Sequence, residues 1–199
     1  MLAAASLANI VGVPAGVIAA GLQLSRGAPG RMEMIPNSRG VTCVVDYAHT
    51  DDALRRVLRE LRRVSSGRLI CVFGCCGDRD KGKRPLMGAA VAELADIAFV
   101  TSDNPRTENP EAIVDDILPG MLAMIRNADT PNIREYSVIV DRFEAIRQAV
   151  TLAKPGDALC VAGKGHEDYQ ILGTRKIHFD DREAAREAFN AGRPHDECS

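Results

Sequence analysis

The chain has 199 residues, of which 46% are hydrophobic and 26% are charged, and its formal net charge is −2. This length allows one full domain and part of a second. The balanced charge argues against general binding to nucleic acid or to a membrane surface, and no apolar run approaches the roughly 20 residues that a membrane-spanning helix needs.

The first 24 residues are rich in alanine and have a helical pattern that is broken at Gly12 and Pro14. We interpret them as two short helices. Because helices that are apolar on nearly every side require partners on every side, we assign residues 1–28 to a helical remnant of another domain plus a linker. Residues 26–31 contain the glycines and the proline of that linker.

From Val41 onward the pattern alternates between strand and helix. The predicted strands are 41–45, 68–73, 96–100, 133–140 and 158–162. Helices are predicted to begin near Thr50, Pro85, Pro110, Asp141 and Asp180. We expect Pro119 to interrupt or kink the third of these helices, a hairpin to turn around Gly173, and the tail from Gly192 to fray.

Strands separated by helices predict an α/β fold with a Rossmann-like, mostly parallel sheet that carries helices on both faces. In such folds the loops that follow the strands open at the carboxyl edge of the sheet, where ligands bind. Four polar loops qualify, and we expect them to face one cleft: 46–49, 74–84, 102–106 and 163–168.

One of these loops carries Asp103, Asn104, Pro105 and Arg106. Pro105 stiffens the turn, Arg106 suits a carboxylate or phosphate, and Asp103 suits an ammonium. Together they favour a zwitterion such as the end of an amino acid. The alternative is a capped helix start with a surface arginine.

The glycine-rich loop 74–84 nearly matches a phosphate-binding loop in Gly77-x4-Gly82-Lys83. Arg84 stands where a serine or threonine should hold Mg²⁺, so we reject that assignment. The glycine N–H groups and Arg79 could still bind an anion. A flexible surface loop is the alternative.

After the strand that begins at Val41, Asp46-x-Ala48-x-Thr50 resembles the start of haloacid-dehalogenase-type phosphatases, but Ala48 replaces the second acid. Asp46 and His49 could instead orient a nucleotide or a Mg²⁺-bound water, or be structural. The 163–168 loop contains two glycines followed by an imidazole and a carboxylate, which is not specific alone.

The six cysteines form no Cys-x-x-Cys pair, and four of them lie in or beside strand-like apolar runs. This indicates reduced, buried cysteine in a cytoplasmic protein. Cys75 and Cys76 could bind a soft metal, but no second pair or nearby histidine completes a tetrahedral set. We therefore predict no metal ligands.

Taken together, five ordered segments resemble the C-terminal part of the MurE-type Mur ligases, which add meso-2,6-diaminopimelate to UDP-N-acetylmuramoyl-L-alanyl-D-glutamate in peptidoglycan synthesis. The segments are 29–33, 45–50, 73–85, 103–106 and 163–170. The resemblance covers about residues 1–190. It implies that residues 29–199 are the amino-acid-binding domain and that residues 1–28 belong to the central ATP-binding domain.

The resemblance also implies roles for individual residues. Those matching the family's diaminopimelate contacts are Arg79, Asp103, Asn104, Pro105, Arg106, Gly163 and Glu167. Those matching positions turned toward ATP are Arg31, Asp46 and His49. Arg106 favours diaminopimelate, because relatives that add lysine lack an arginine there.

In the family, ATP phosphorylates the substrate carboxylate, the amine of the amino acid attacks the acyl phosphate, and Mg²⁺ offsets charge. The ATP and Mg²⁺ sites, and contacts to the UDP-linked dipeptide, are expected mainly in domains outside this sequence. We therefore expect a partial gene product that binds diaminopimelate weakly, has no catalytic residue of its own and does not ligate alone. The alternative is a non-catalytic module of the same fold that binds an amino acid or a nucleotide.

Overall fold

The computed structural model describes residues 2–24, 27–127 and 132–191. Arg26 in the predicted linker and the predicted frayed tail from Gly192 lie outside these residues. Within them the strands, in chain order, are β1 (Glu33–Ile35), β2 (Thr42–Asp46), β3 (Leu69–Phe73), β4 (Ile97–Val100), β5 (Glu135–Val138), β6 (Ala158–Ala162), β7 (Tyr169–Leu172) and β8 (Arg175–His178).

The helices of the same residues lie between or outside these strands. In chain order they are α1 (Leu2–Ile10), α2 (Ala15–Leu24), α3 (Asp51–Val64), α4 (Lys83–Leu94), α5 (Pro110–Asn127), α6 (Arg142–Leu152) and α7 (Asp181–Ala191).

Six strands form the main sheet in the spatial order β1-β2-β6-β3-β4-β5, and β7 pairs with β8 in a separate antiparallel hairpin. β2 to β6 are all parallel, whereas the edge strand β1 pairs antiparallel with β2. The α/β prediction is confirmed, as are the predicted strands to within a few residues. β1 was not predicted, because three residues are too short to show an alternating pattern.

The sheet is buried on both faces, and successive residues of a strand enter different cores. In β3, Cys71 and Phe73 face the core under α3, α4 and α5, whereas Ile70 and Val72 face the core under α6 and α7. Because β2 to β6 are parallel, their carboxyl ends lie at one edge of the sheet, and the loops that follow β2, β3, β4 and β6 lie there.

α5 runs unbroken from Pro110 to Asn127, so Pro119 does not interrupt it, and a kink at Pro119 stays a prediction. The adjacent Gly120 is required by helix packing, because a Cβ atom there would lie 1.8 Å from the backbone oxygen of Pro85. The absence of a side chain lets α5 approach α4 closely.

The helices α1 and α2 form as predicted, but most of the apolar side chains described in them are exposed. α2 has no buried residue, and Leu24 at its end is 83% exposed. Within the described residues, no helix combines the length and apolar character needed to cross a membrane.

Candidate functional site

The four loops predicted to face one cleft are joined by hydrogen bonds. The backbone N–H of Gly77 donates to the backbone oxygen of Asn104 at 2.9 Å, and that of Gly163 donates to the backbone oxygen of Asp46 at 3.0 Å. The Asn104 side chain in turn contacts Glu167. The loops after β2, β3, β4 and β6 thus form one connected rim at the carboxyl edge of the sheet.

Asn104 is the central connection of this rim. Its side chain is buried, with Nδ2 donating to Glu167 Oε2 at 2.9 Å. Its Oδ1 accepts hydrogen bonds from the Ile171 backbone N–H at 3.0 Å and from Lys164 Nζ at 3.3 Å. Every polar atom of this amide is therefore used to position neighbouring residues.

Arg106 is held by its backbone and left open at its side chain. Its φ is +54°, a left-handed conformation that costs energy in a non-glycine residue. The hairpin fixes it, since its N–H donates to the Ile171 oxygen at 3.0 Å and its oxygen accepts from Gly173 N–H at 2.7 Å. Within the described residues, its buried Nε has no hydrogen-bond partner.

Asp103, which we predicted to bind an ammonium, is buried, and this role stays a prediction. Asp103 is 2% exposed, and its Oδ1 lies 3.9 Å from Lys164 Nζ. Burial raises its pKa, and the nearby Arg142 and Lys164 oppose that rise. Among the described residues, Asp103 Oδ1 has no hydrogen-bond partner.

Glu167 is the acid that remains open. Its Oε2 accepts from both Asn104 at 2.9 Å and Lys164 at 3.4 Å, whereas no described residue donates to Oε1. The side chain is partly exposed. One oxygen is thus anchored, and the other can accept a hydrogen bond from a ligand.

Two glycines allow the loops to pack this closely. Gly163 has φ +119°, and a Cβ there would lie 2.7 Å from Asp103 Oδ2. A Cβ at Gly77 would lie 1.9 Å from the backbone oxygen of the buried Pro105. Any side chain at either position would displace the Asp103–Arg106 segment.

Arg79 lies at the exposed margin of the site rather than inside it. Among the described residues, its guanidinium donates to the backbone oxygen of the adjacent Asp78, at 3.3 Å, and to no other group. The Asp78 carboxylate accepts from the Thr107 N–H at 3.2 Å and from its hydroxyl at 2.8 Å. The structure therefore places Arg79 on a loop tied to the Arg106 loop, without direct contact between the two arginines.

The three residues predicted to face a nucleotide lie around Tyr47. The Arg31 guanidinium is 4.6 Å from the Tyr47 ring centre, and the His49 ring is also 4.6 Å from it. Asp46 is nearly buried, and its Oδ2 accepts from the Met32 N–H at 2.8 Å. These contacts hold the 29–33 segment against the end of β2.

Tyr47 and His166 extend this group. The predicted loop 163–168 already included the His166 imidazole, whereas Tyr47 was not predicted as a site residue. Their ring centres are 5.2 Å apart. Burial, and then the negative charge of Glu167, raise the pKa of Tyr47. The position of Tyr47 between Asp46 and His49 was the available signal. The aromatic group and the Asn104–Glu167 contact share the loop that follows β6.

No group of three His, Cys, Asp or Glu side chains among the described residues is placed to hold a metal ion. The phosphatase alternative needs a second acid beside Asp46, and the contacts of Asp46 instead include the backbone of Met32. The side chains present therefore do not fit a complete Mg²⁺ site.

Arg142 is a buried arginine that braces the strand ends. It pairs with Asp181 through two 2.7 Å hydrogen bonds, and both side chains are fully buried. It also donates to the backbone oxygens of Ala162 at 2.9 Å and Ser102 at 3.3 Å. Its position after the helix-capping Asp141 gave no sign of this burial.

Arg84 performs a similar task on the other side of the site. It donates to both oxygens of Glu108, at 2.8 and 3.0 Å, and to Asp116 at 2.8 Å. These bonds, with those from Asp78 N–H and Lys81, lower the pKa of Glu108 to about 2. Arg84, the residue that argued against a phosphate-binding loop, thus connects the loop after β3 to the loop after β4.

Comparisons with known proteins agree with this architecture. Residues 30–165 match the family described as "Mur ligase, glutamate ligase domain". The UDP-N-acetylmuramoyl-L-alanyl-D-glutamate–2,6-diaminopimelate ligase of Gloeobacter violaceus is 55% identical over 194 residues, which cover 97% of this chain and 38% of that protein. The enzyme of the same name from Clostridioides difficile is 47% identical over 189 residues, 95% of this chain and 37% of that protein.

A solved structure of a protein with the same enzyme name superimposes with a TM-score of 0.73 at 43% identity, and covers 96% of this chain and 37% of that one. The chain thus spans somewhat more than a third of the length of the relatives it matches.

Proposed function

The chain belongs to the Mur ligase family, and on this basis we propose that it provides the amino-acid-binding domain of a diaminopimelate-adding ligase. The complete enzyme would use ATP to join meso-2,6-diaminopimelate to UDP-N-acetylmuramoyl-L-alanyl-D-glutamate, the substrates in the relatives' names. In this proposal residues 29–199 recognise the amino acid, and residues 1–28 belong to a neighbouring domain.

The single observation that carries the proposal is the buried Nε of Arg106, which has no hydrogen-bond partner among the described residues. The loop and the hairpin fix the backbone of Arg106, while its buried Nε has no partner in the described part of the chain. A buried polar group without a partner is costly, and a guanidinium matches a carboxylate with two parallel hydrogen bonds. A ligand carboxylate would remove this cost.

Glu167 supplies the complementary charge. Its free Oε1 is suited to a ligand ammonium, since Asn104 and Lys164 anchor the other oxygen. Asn104, Pro105 and Gly163 shape the loops, and Arg79 would approach a second carboxylate from the margin. Diaminopimelate carries carboxylate and ammonium groups at both ends, so an arginine and an acid on one rim suit it.

The Tyr47 group is the part of this chain that would face ATP. Arg31 is exposed beside an aromatic ring, and His49 lies against the same ring. A cation next to exposed rings suits a nucleotide, because it can contact phosphate or stack on a base. The described residues do not fit Mg²⁺. Activation of the dipeptide would require the other domains.

Calorimetry with meso-diaminopimelate and L-lysine tests this proposal on the purified chain. We expect binding of meso-diaminopimelate in preference to L-lysine, which lacks the second carboxylate. Arg106→Ala should abolish that preference, whereas Arg175→Ala on the exposed hairpin should keep it. Equal affinity for both ligands, or no binding of either, would instead favour a non-catalytic module that retained the fold.

A further inference from the structure

Lys164 is a fully buried lysine at the centre of the rim. Its Nζ lies 3.3 Å from Asn104 Oδ1, 3.4 Å from Glu167 Oε2 and 3.9 Å from Asp103 Oδ1. Its side chain has no solvent exposure. Neither the sequence comparison nor the expected ligand contacts give this residue a role.

The backbone explains why a lysine points inward here. Lys164 lies between Gly163 and Gly165, whose φ angles are +119° and +54°. Both fall in the left-handed region that glycine tolerates. The turn is closed by the Glu167 N–H, which donates to the Lys164 oxygen at 2.9 Å. The loop therefore holds the Lys164 ammonium and the Glu167 carboxylate on the same side of the turn.

Burying an ammonium is expensive unless its charge and its hydrogen bonds are matched. Lys164 faces two carboxylates, Asp103 at 3.9 Å and Glu167 at 3.4 Å. One buried ammonium therefore lies between two acids, of which Glu167 is partly exposed.

We propose that Lys164 is a positioning residue that fixes Glu167 for the ammonium of the bound amino acid. Lys164 and Asn104 hold Glu167 Oε2, which directs Oε1 toward the ligand. Lys164 also places a positive charge 3.9 Å from Asp103 Oδ1, beside that buried acid. This inference rests on the proposed function and adds the basis of ammonium selection.

The test compares two ligands that differ in one ammonium. L-2-aminopimelate keeps both carboxylates of meso-diaminopimelate and lacks its second ammonium. We expect the unaltered chain to bind meso-diaminopimelate at least about tenfold more tightly, the usual effect of a hydrogen bond to a charged group. Lys164→Met should reduce this ratio to about two or less, chiefly by weakening meso-diaminopimelate.

Lys176→Met is the matched control. Lys176 is exposed, and its Nζ lies 3.8 Å from the Tyr169 ring that Lys164 also approaches, at 5.4 Å. It should leave both affinities unchanged. Equal weakening of both ligands by Lys164→Met would mean that Lys164 only maintains the fold, and would overturn the inference.

Should Lys164→Met not fold, ¹⁵N-lysine labelling of the unaltered chain decides the question. The Lys164 ammonium signal should shift on addition of meso-diaminopimelate and much less with L-2-aminopimelate. Identical shifts would overturn the inference while leaving ligand binding, and hence the proposed function, intact. Failure to bind either ligand would overturn both.

Discussion

The Asn104 amide donates a 2.9 Å hydrogen bond to Glu167, and the same side chain accepts one from the Ile171 backbone. This one residue therefore links the loop after β4, the loop after β6 and the terminal hairpin. The sheet brings the loops to one edge, and Asn104 fixes their relative positions.

Asn104→Ala should destabilise the domain and weaken ligand binding together. The substitution removes the acceptor of the part-buried Ile171 N–H and one of the two acceptors of the Lys164 ammonium, which we expect to cost about 2–3 kcal/mol. Urea unfolding measures this loss. Asn9→Ala, on the exposed surface of α1, should change the free energy of unfolding by no more than about 0.5 kcal/mol. Similar values for both variants would contradict the linking role.

Gly77→Ala should displace the Pro105 backbone. The added Cβ would lie 1.9 Å from the Pro105 oxygen, and backbone can move less readily than a side chain. We expect a loss of about 1–3 kcal/mol in stability and a lower affinity for meso-diaminopimelate. Gly16→Ala is the control, because it meets no atom within 4 Å and removes a helical glycine. Unchanged affinity in Gly77→Ala would show that the Pro105 turn tolerates movement.

The pair of Arg142 and Asp181 offers a test of buried charge. Arg142→Met leaves the fully buried Asp181 carboxylate unpaired, which should cost about 3–5 kcal/mol. Adding Asp181→Leu removes that charge and should restore a large part of the loss, as a double-mutant cycle in urea would reveal. Purely additive losses would indicate that the two residues do not depend on each other.

Acid should weaken the tie between Arg84 and Glu108. The folded-state pKa of Glu108 is about 2, below its ordinary value of 4.5. A depressed carboxylate pKa stabilises the fold above the unfolded value, and this contribution disappears as pH falls from about 4.5 to about 2. The free energy of unfolding should therefore decrease across this window.

Glu108→Gln should remove part of that decrease, whereas Glu111→Gln, on the exposed first turn of α5, should keep it. Urea unfolding at a series of pH values measures the slopes. A Glu108→Gln chain with the same slope as the unaltered chain would contradict the assigned pKa shift.

The sequence predicted the sheet and its site loops because these depend on local patterns. Apolar runs separated by amphipathic helices specify parallel strands, and polar residues that follow each strand must then share one edge. Asp141 and Thr50 also cap helices as predicted, through side-chain bonds to Glu144 and Ala53. The antiparallel strand β1 was not predicted, because its pairing with β2 is not encoded in a local sequence pattern.

Buried charge was the feature that sequence patterns did not reveal. Lys164, Arg84 and Arg142 are fully buried, although lysine and arginine are normally exposed. Their acidic partners are distant in the sequence: Glu108 is 24 positions from Arg84 and Asp181 is 39 positions from Arg142. For the same reason the burial of Asp103 beside Lys164 could not be read from the sequence.

The most direct test of the account is the Nε–H signal of Arg106 in an ¹⁵N NMR titration. This atom has no partner in the described residues. We predict that meso-diaminopimelate shifts the signal in a saturable way, with Glu167 and Ile171 backbone signals following, and that L-lysine does not. Saturable binding that leaves the Arg106 signal unmoved would contradict the proposed carboxylate site.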